Sequence, residues 1–386
     1  MNPTRPIQLA LIADFPEENW ESMNLIADMI ETHIRAELGD YISVDLITPG
    51  YVPIFSCLSD RRFAWNLDRF INRRLILKRG IKRAIAIKKY QAAIVIDHSY
   101  AHVVPLLNKN QIKSVVICHD TDAIKPLGTV GRSIKSRLHR WFARPVYDGL
   151  QSADQIITVS DSVRSELISN WKISGTKIQT LYNGTAPEFQ LKCDNGIVAL
   201  KADIQGNWPV LVHVGTNTPR KRIDLLIDII ERLSSQYPNL TCVRVGGDFI
   251  EAQNLIIAEK RLADVFQVMP RLSRDEIAAI YRAATLVLIT SDAEGFGLPL
   301  VEALSCGARV LASDLPVLRE VGDEFAEYTP PGDVEGFVTK ARQIIDNNIP
   351  ESDQQKMQLR KIFISKYSWS HYVRELYGII NSLLKD

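Results

Sequence analysis

The chain has 386 residues, 46% hydrophobic and 24% charged, with a net charge of +1. That length suits two domains of ordinary size, and the composition is that of a soluble globular protein. No apolar run reaches the ~20 residues a membrane-spanning helix needs, Met1 to Gln8 lack an apolar signal core, and the five cysteines at 57, 118, 193, 242 and 306 form no C-x-x-C pair, which points to a reducing cytoplasm without a metal cluster or disulfide framework.

In chain order, the first half predicts strands at Ile7–Ala13, Ile42–Thr48, Ala92–Asp97, Ser114–Cys118, Gln155–Ser160 and Ile178–Tyr182. Helices are predicted at Met23–Glu37, within 61–89 and at Ser133–Leu150. The first βα turn, Asp14 to Ser22, has none of the G-x-G-x-x-G pattern of a dinucleotide cofactor, which argues against an oxidoreductase. Residues 1–184 carry a net charge of +6 and the remainder −5. Much of the excess lies in 61–89, where eleven Lys/Arg face one acid, Asp68, among Phe63, Trp65, Leu67, Phe70, Ile71, Leu77, Ile81 and Ile85. A second basic stretch, 132–144, holds Trp141 and Phe142. Basic amphipathic segments of this kind meet anionic membrane surfaces or polyanionic acceptors; the plainer alternative is a solvated helix packed on its own domain. No nucleic-acid motif accompanies them, so no nucleic acid is expected.

Two polar clusters follow predicted strands. Val115 to Cys118 ends in His119-Asp120, where an open sheet meets its ligand crevice. Asp97-His98-Ser99-Tyr100-Ala101-His102 follows another strand. His98, His102 and Asp120 are candidates for an acceptor side, with a structural loop as the alternative. No acid or thiol stands at ligand spacing beside the histidines, so no metal is expected. Ser160 either caps the next helix or touches substrate, and Asn183-Gly184 is turn chemistry.

Residues 186–207 lack periodicity and contain Pro187, Gly196 and Gly206, the composition of a linker. Beyond it, strands are predicted at Val210–Gly215, Thr241–Gly246, Val265–Met269, Thr285–Thr290, Arg309–Ser313 and Ala326–Thr329. Helices are predicted at Ile223–Gln236, Arg274–Ala283, Leu300–Ser305, Val334–Asn347 and Ser368–Lys385. Alternation of apolar strands and helices in both halves argues for an α/β protein with two parallel, doubly wound sheets. The organisation expected is an N-terminal domain (1–185), the linker (186–207), a C-terminal domain (208–367) and a terminal helix (368–386).

In His213-Val214-Gly215-Thr216-Asn217-Thr218-Pro219-Arg220-Lys221 a strand ends at a glycine, and two cations follow. Arg220 and Lys221 are placed to clamp a diphosphate, the Arg bidentately and the Lys as a point charge. The alternative is a solvated basic turn. Further on, Glu294 and Glu302 bracket the turn Gly295-Phe296-Gly297-Leu298-Pro299 between a strand and a helix. The helix start offers free N–H groups to a phosphate, and each carboxylate accepts bonds from paired hydroxyls. A ligand with a phosphate in the middle and a polyol at each end is a nucleotide sugar.

The stretch Glu294 to Glu302, with Ala303, Gly307, Val310 to Asp314 and Leu318-Arg319-Glu320-Val321, resembles the signature of the retaining glycosyltransferases of family 4, with the GT-B fold. The resemblance implies two Rossmann-like doubly wound domains facing a central cleft, with the terminal helix crossing back to the first domain. It implies that Glu294 and His119 hold the transferring sugar and that Glu302 binds ribose. Lys221 and Arg220 take the diphosphate, with backbone amides of Gly295, Phe296, Gly297 and Leu298. It further implies retention by same-face attack, no cofactor beyond the nucleotide-diphosphate sugar donor, no metal, and a glycan, lipid-linked or small-molecule acceptor. Base recognition falls to backbone near Arg271 and Leu272. The expected location is cytoplasmic, with peripheral attachment to a membrane through 61–89 and 132–144. Two features depart from the pattern: Thr216 stands where many members carry an arginine, and the first βα turn lacks their glycines. Alternatives are a nucleotide-sugar epimerase of the same fold and a non-catalytic sugar-nucleotide-binding or membrane-docking protein.

Overall fold

The computed structural model describes residues 5–18, 20–48, 50–57, 62–128, 133–190, 208–269, 272–347 and 354–385. The chain divides into two compact units, Met1–Asn183 with Trp369–Asp386, and Gly184–Ser368.

The first unit is built on six parallel strands: β1 (Ile7–Ile12), β2 (Ile42–Ile47), β3 (Ala92–Val95), β4 (Lys113–Cys118), β5 (Gln155–Thr158) and β6 (Ile178–Thr180). Their order is β2-β1-β3-β4-β5-β6. Parallel strands covered on both faces read as unbroken apolar runs, and Ala92 to Val95 are all 0% exposed. The helices are α1 (Glu21–Glu37), α2 (Arg62–Ile71), α3 (Leu77–Ile87), α4 (Val104–Lys109), α5 (Ile134–Ser152) and α6 (Asp161–Ser169). Ser160 accepts a bond from Val163 N and so caps α6.

The predicted basic helix is α2 and α3 joined by a π-helical turn, Asn72–Ile76. Its one acid is not a solvated charge. Asp68 is buried and accepts bonds from the backbone N–H of Ile54, Phe55 and Ser56 and from Ser56 Oγ. These bonds, working against burial, hold its carboxyl at about 2. Asn72 exchanges bonds with the Val52 backbone, so the segment before the helix is pinned to it.

The C-terminal helix (Trp369–Leu383) is part of the first unit. It buries Trp369, Tyr372, Val373, Leu376 and Ile380, and it meets α1 through Ser370 and Arg374, which both donate to Glu37.

The second unit carries β7 (Val210–Val214), β8 (Thr241–Val245), β9 (Phe266–Met269), β10 (Leu286–Ile289), β11 (Val310–Ser313) and β12 (Glu327–Thr329). All pairs are parallel, in the order β12-β11-β10-β7-β8-β9. Between them run α7 (Ile223–Ser234), α8 (Glu251–Glu259), α9 (Arg274–Ala283), α10 (Leu298–Ser305) and α11 (Pro316–Gly322), and after the last strand come α12 (Val334–Asp346) and α13 (Gln354–Ile364). The expected linker needs correction at its start. Phe189 is buried, with its ring 6.1 Å from that of Tyr281, and Arg282 donates to the carbonyls of Glu188 and Gln190. Residues 184–190 therefore belong to the second unit; the rest of the expected linker, 191–207, lies outside the described residues.

Candidate active site

In the second unit β7 and β10 are neighbours, yet the chain reaches β8 and β9 on one side and β11 and β12 on the other. This is a topological switch point, and the loops after β7 and β10 border its crevice. Those loops carry Gly215 to Lys221 and Ser291 to Gly297.

The loops are tied together by short bonds. Thr290 Oγ1 donates to the Lys221 carbonyl at 2.9 Å, and Asp292 N to the Arg220 carbonyl at 2.8 Å. Arg222, at φ +50°, pairs with both Asp224 and Asp292. At the centre, Lys221 Nζ lies 2.6 Å from Glu294 Oε1, which also accepts from Ser291 Oγ at 2.7 Å. The Lys221 and Glu294 side chains are only 12% and 6% exposed. Arg220 is half-buried, and its guanidinium makes no hydrogen bond or ion pair among the described residues.

Glu294, Gly295, Phe296, Gly297, Leu298 and Glu302 fall on one turn and the helix it opens. The helix begins at Leu298 rather than Leu300, because Gly297 at φ +93° serves as its cap. A Cβ on Gly297 would meet the tip of the Leu318 side chain at 2.6 Å, and the left-handed backbone is what calls for glycine here. Phe296 packs its ring against Tyr367 at 5.9 Å; its part in the turn is left to its backbone. Glu302 lies on α10 and accepts a 3.4 Å bond from Tyr281 Oη. Burial raises its carboxyl to about 7, while Tyr281, Arg274 and Lys221 pull the other way.

Three residues here escaped the sequence reading. Tyr281 reads as a core aromatic of α9, and its hydroxyl is the clue that it has a polar task. His213 is buried, and burial with the charges of Arg244 and Lys221 lowers it to about 3, so it is neutral. Arg244, inside β8, is fully buried and donates to the Gly215 carbonyl at 3.0 Å and to Asn217 Oδ1 at 2.5 Å. A cation in a strand pattern was the signal. With Thr216 in the loop, Arg244 braces that loop from beneath. Gly246 must also be bare, since its Cβ would stand 2.4 Å from the Gly215 oxygen. Of the expected base-recognition pair, Arg271 lies outside the described residues.

In the first unit, His119 follows β4. Its Nε2 donates to the Ile96 carbonyl at 2.7 Å. Burial lowers its pKa, so the ring is neutral and Nδ1 is the nitrogen left to accept a hydroxyl. His98 stands between two acids, with Nδ1 3.2 Å from Asp97 Oδ1 and Nε2 3.4 Å from Asp120 Oδ1. These are ion-pair distances without hydrogen-bond alignment. Burial opposes the charged ring, but Asp120 and Asp97 outweigh it and raise the pKa. His102 does not join this set. Its Nε2 bonds the Arg73 carbonyl at 2.9 Å, its ring stacks with Tyr100, and burial lowers it to about 3, which marks a core residue.

Among the described residues no helix is long and apolar enough to cross a membrane, and no three His, Cys, Asp or Glu side chains group to hold a metal.

Comparison with known proteins agrees with this architecture. The profile of the family Glycosyl transferases group 1 matches residues 200–362, and that of Glycosyltransferase Family 4 matches 35–189. An uncharacterized glycosyltransferase of Methanocaldococcus jannaschii is 26% identical over 69% of this chain and 68% of its own length. The O-antigen chain mannosyltransferase RfbU of Salmonella typhimurium is 25% identical over 63% of each chain. Among solved structures, sucrose-phosphate synthase from Thermosynechococcus elongatus superposes with a TM-score of 0.72 at 16% identity, covering 98% of this chain and 99% of its own. Anabaena HepE in complex with UDP-glucose gives 0.72 at 17% identity, covering 97% and 100%. The two profiles in tandem, on two Rossmann-like units, place this chain among the family-4-type glycosyltransferases of the GT-B fold.

Proposed function

We propose that this protein transfers a sugar, with retention, from a nucleoside-diphosphate sugar to a hydroxyl of a glycan, lipid-linked or small-molecule acceptor. The observation that carries the reading is the meeting of Lys221, Glu294 and the capped start of α10 at the switch point of the second unit. The half-buried Arg220, whose guanidinium is unpaired among the described residues, and the adjacent Lys221 supply positive charge for a diphosphate. The amides of Gly295 to Leu298 add the partial charge of a helix start. Glu302 accepts the ribose hydroxyls.

On this reading the Lys221–Glu294 pair is the resting partner of two groups that separate when donor arrives. Lys221 turns to the diphosphate, and Glu294 is released to hydrogen-bond the sugar. The bond that breaks joins the anomeric carbon to the diphosphate oxygen. Charge grows on that oxygen, and fixed cations lower its energy in a water-poor site. The acceptor hydroxyl bonds to the anomeric carbon on the face the diphosphate leaves, and its proton passes to the departing phosphate. His119, neutral and with Nδ1 open, is suited to accept from a sugar hydroxyl.

The basic helices supply the second part of the reading, a peripheral contact with anionic lipid. Phe63, Leu75 and Ile87 on the α2–α3 segment are 76%, 52% and 87% exposed, and Leu138 and Trp141 on α5 are 49% and 61% exposed. Phe70 joins the two helices through Trp141 and Phe142 at 6.0 and 5.2 Å. Exposed apolar groups among lysines and arginines suit a lipid surface.

The test is product analysis with UDP- and GDP-linked hexoses, with and without a hydroxyl acceptor. RfbU is named for mannose, and HepE holds UDP-glucose, so those donors come first. A new glycoside with the donor's anomeric configuration supports the reading. Donor consumption with inversion, or conversion of the donor alone, contradicts it.

A further inference from the structure

In the second unit, α9 buries Ala278, Ile280 and Tyr281. Tyr281 is 0% exposed, and its hydroxyl is foreign to that core. A phenylalanine would fill the same space without burying a polar group, which costs free energy unless the group is paired. Among the described residues the hydroxyl has one hydrogen-bond partner, Glu302 Oε2 on α10, and Glu302 Oε1 takes no bond. The ring is fixed by its neighbours. The Phe189 ring lies 6.1 Å away with the planes 58° apart, the Phe189 carbonyl accepts from Cys306 Sγ, and Arg282 donates to the carbonyls of Glu188 and Gln190.

The other titratable groups facing Glu302 are Arg274 on α9, Lys221 on the loop after β7, and Cys306 at the end of its own helix. Lys221 is bonded to Glu294, Arg274 stands 3.9 Å from Glu188, and the Cys306 thiol, pushed up to about 12 by burial, is uncharged. Tyr281 is thus the one described residue that donates a hydrogen bond to this carboxyl. Burial keeps its own pKa well above the usual tyrosine range, so the hydroxyl stays a donor. At 3.4 Å the bond is long for one between two oxygens, as contacts in ligand-free sites often are before a complex tightens them.

We propose that Tyr281 is a positioning residue of the nucleotide site: its hydroxyl holds one oxygen of the Glu302 carboxylate and leaves the rest of that group turned to the ribose, which sets a preference for ribonucleotides over deoxyribonucleotides. The inference rests on the reading of Glu302 as the ribose acceptor and adds the residue on which that role depends. Binding is also linked to a proton. A carboxylate accepts from two hydroxyls, whereas a protonated carboxyl gives up one of its places. Free Glu302 has a pKa of about 7, so ribose binding expels its proton. The ribose-dependent part of the affinity therefore rises with pH and levels off above that value. The Tyr281 bond favours the charged form; without it the carboxyl holds its proton to higher pH, and the rise in affinity moves up with it.

The test compares the full chain with Tyr281→Phe, Glu302→Gln and the double variant. UDP and GDP, each beside its 2′-deoxy analogue, are titrated by calorimetry over a pH range that brackets the Glu302 pKa, with thermal melting on each protein. The quantity followed is the ratio of the two Kd values, in which ionisation of the phosphates cancels. Native protein should prefer the ribonucleotide of one base by about tenfold on the alkaline side, and the preference should fall towards acid pH. Tyr281→Phe should cut the preference about threefold or more, move its midpoint to higher pH, and leave deoxynucleotide affinity and melting temperature near native. Glu302→Gln should abolish the pH dependence, and adding Tyr281→Phe to it should cost no further preference. The inference alone is overturned if the preference is lost in Glu302→Gln but Tyr281→Phe keeps the native ratio and midpoint. It is also overturned if Tyr281→Phe weakens both nucleotides equally while melting well below native, which would mark a structural hydroxyl. Equal binding of ribo- and deoxynucleotide by native protein would overturn the assignment of Glu302 to the ribose, and this inference with it. Failure of native protein to bind any nucleotide would contradict the donor site itself and everything placed on it.

Discussion

Lys221 Nζ and Glu294 Oε1, 73 residues apart in sequence, meet at 2.6 Å with both side chains largely withdrawn from solvent. Removing one member of such a pair strands the other charge. Lys221→Ala should therefore cost about 3 kcal/mol of stability, measured by denaturant unfolding. The double variant Lys221→Ala/Glu294→Ala should cost less than the sum of the singles, as contacting residues do in a double-mutant cycle. Additive costs would show that the pair does not interact in solution.

Glu302 titrates in the neutral range. Its folded pKa, about 7, lies above its usual 4.5, so the folded state holds this proton more tightly than the unfolded chain. The resulting penalty is absent below pH 4, grows as the pH rises through the interval between the two values, and is full above pH 7. Between pH 5 and pH 8 this group should cost the ligand-free protein up to about 3 kcal/mol. Glu302→Gln should remove that dependence and raise the melting temperature at pH 8. A melting profile with the same slope in native and variant would show that Glu302 is not the group responsible.

Gly246 at φ +113° passes so near Gly215 that no side chain fits. Gly246→Ala should force the two loops apart and weaken nucleotide binding before it unfolds the protein, read as a raised donor KM. Arg244→Ala should act on the same loop by removing its support at Gly215 and Asn217. A normal donor KM in both variants would mean that this loop does not shape the donor site.

The exposed Phe63 and Trp141 invite a vesicle test. Phe63→Asp with Trp141→Asp should reduce sedimentation with vesicles containing phosphatidylserine and leave soluble nucleotide binding unchanged. Salt should weaken the native interaction, because the basic charges around these rings are exposed. Equal binding to neutral and anionic vesicles would contradict an electrostatic surface contact.

Much of this architecture is legible in the sequence because parallel strands buried on both faces are continuous apolar runs. Val210 to Val214 and Leu286 to Ile289 could hardly be anything else, and the turn between Glu294 and Glu302 announces itself through two glycines and a proline. Side-chain partnerships across long separations were not legible. Nothing local tells that Lys221 pairs with Glu294, that Tyr281 reaches Glu302, or that the lone acid of the basic helix, Asp68, ties down Ile54 to Ser56. His98 and His102 look equivalent four residues apart, yet a short helical turn sends one to a pair of carboxylates and the other into the core. Arg244 was hidden for the same reason, since a buried cation is intelligible only once the loop it supports is in view.

The account rests on a nucleotide site made by the loops after β7 and β10. The most direct measurement is the melting temperature of native protein and of Glu302→Ala against a panel of nucleoside diphosphates and nucleotide sugars. A ligand that binds only the folded state raises the transition, by about 2.7 kcal/mol of apparent stability at a hundredfold excess over Kd. The account expects one nucleotide family to stabilise the native protein, with the effect lost in Glu302→Ala. No stabilisation by any nucleotide at millimolar concentration, or equal stabilisation of both proteins, would contradict it.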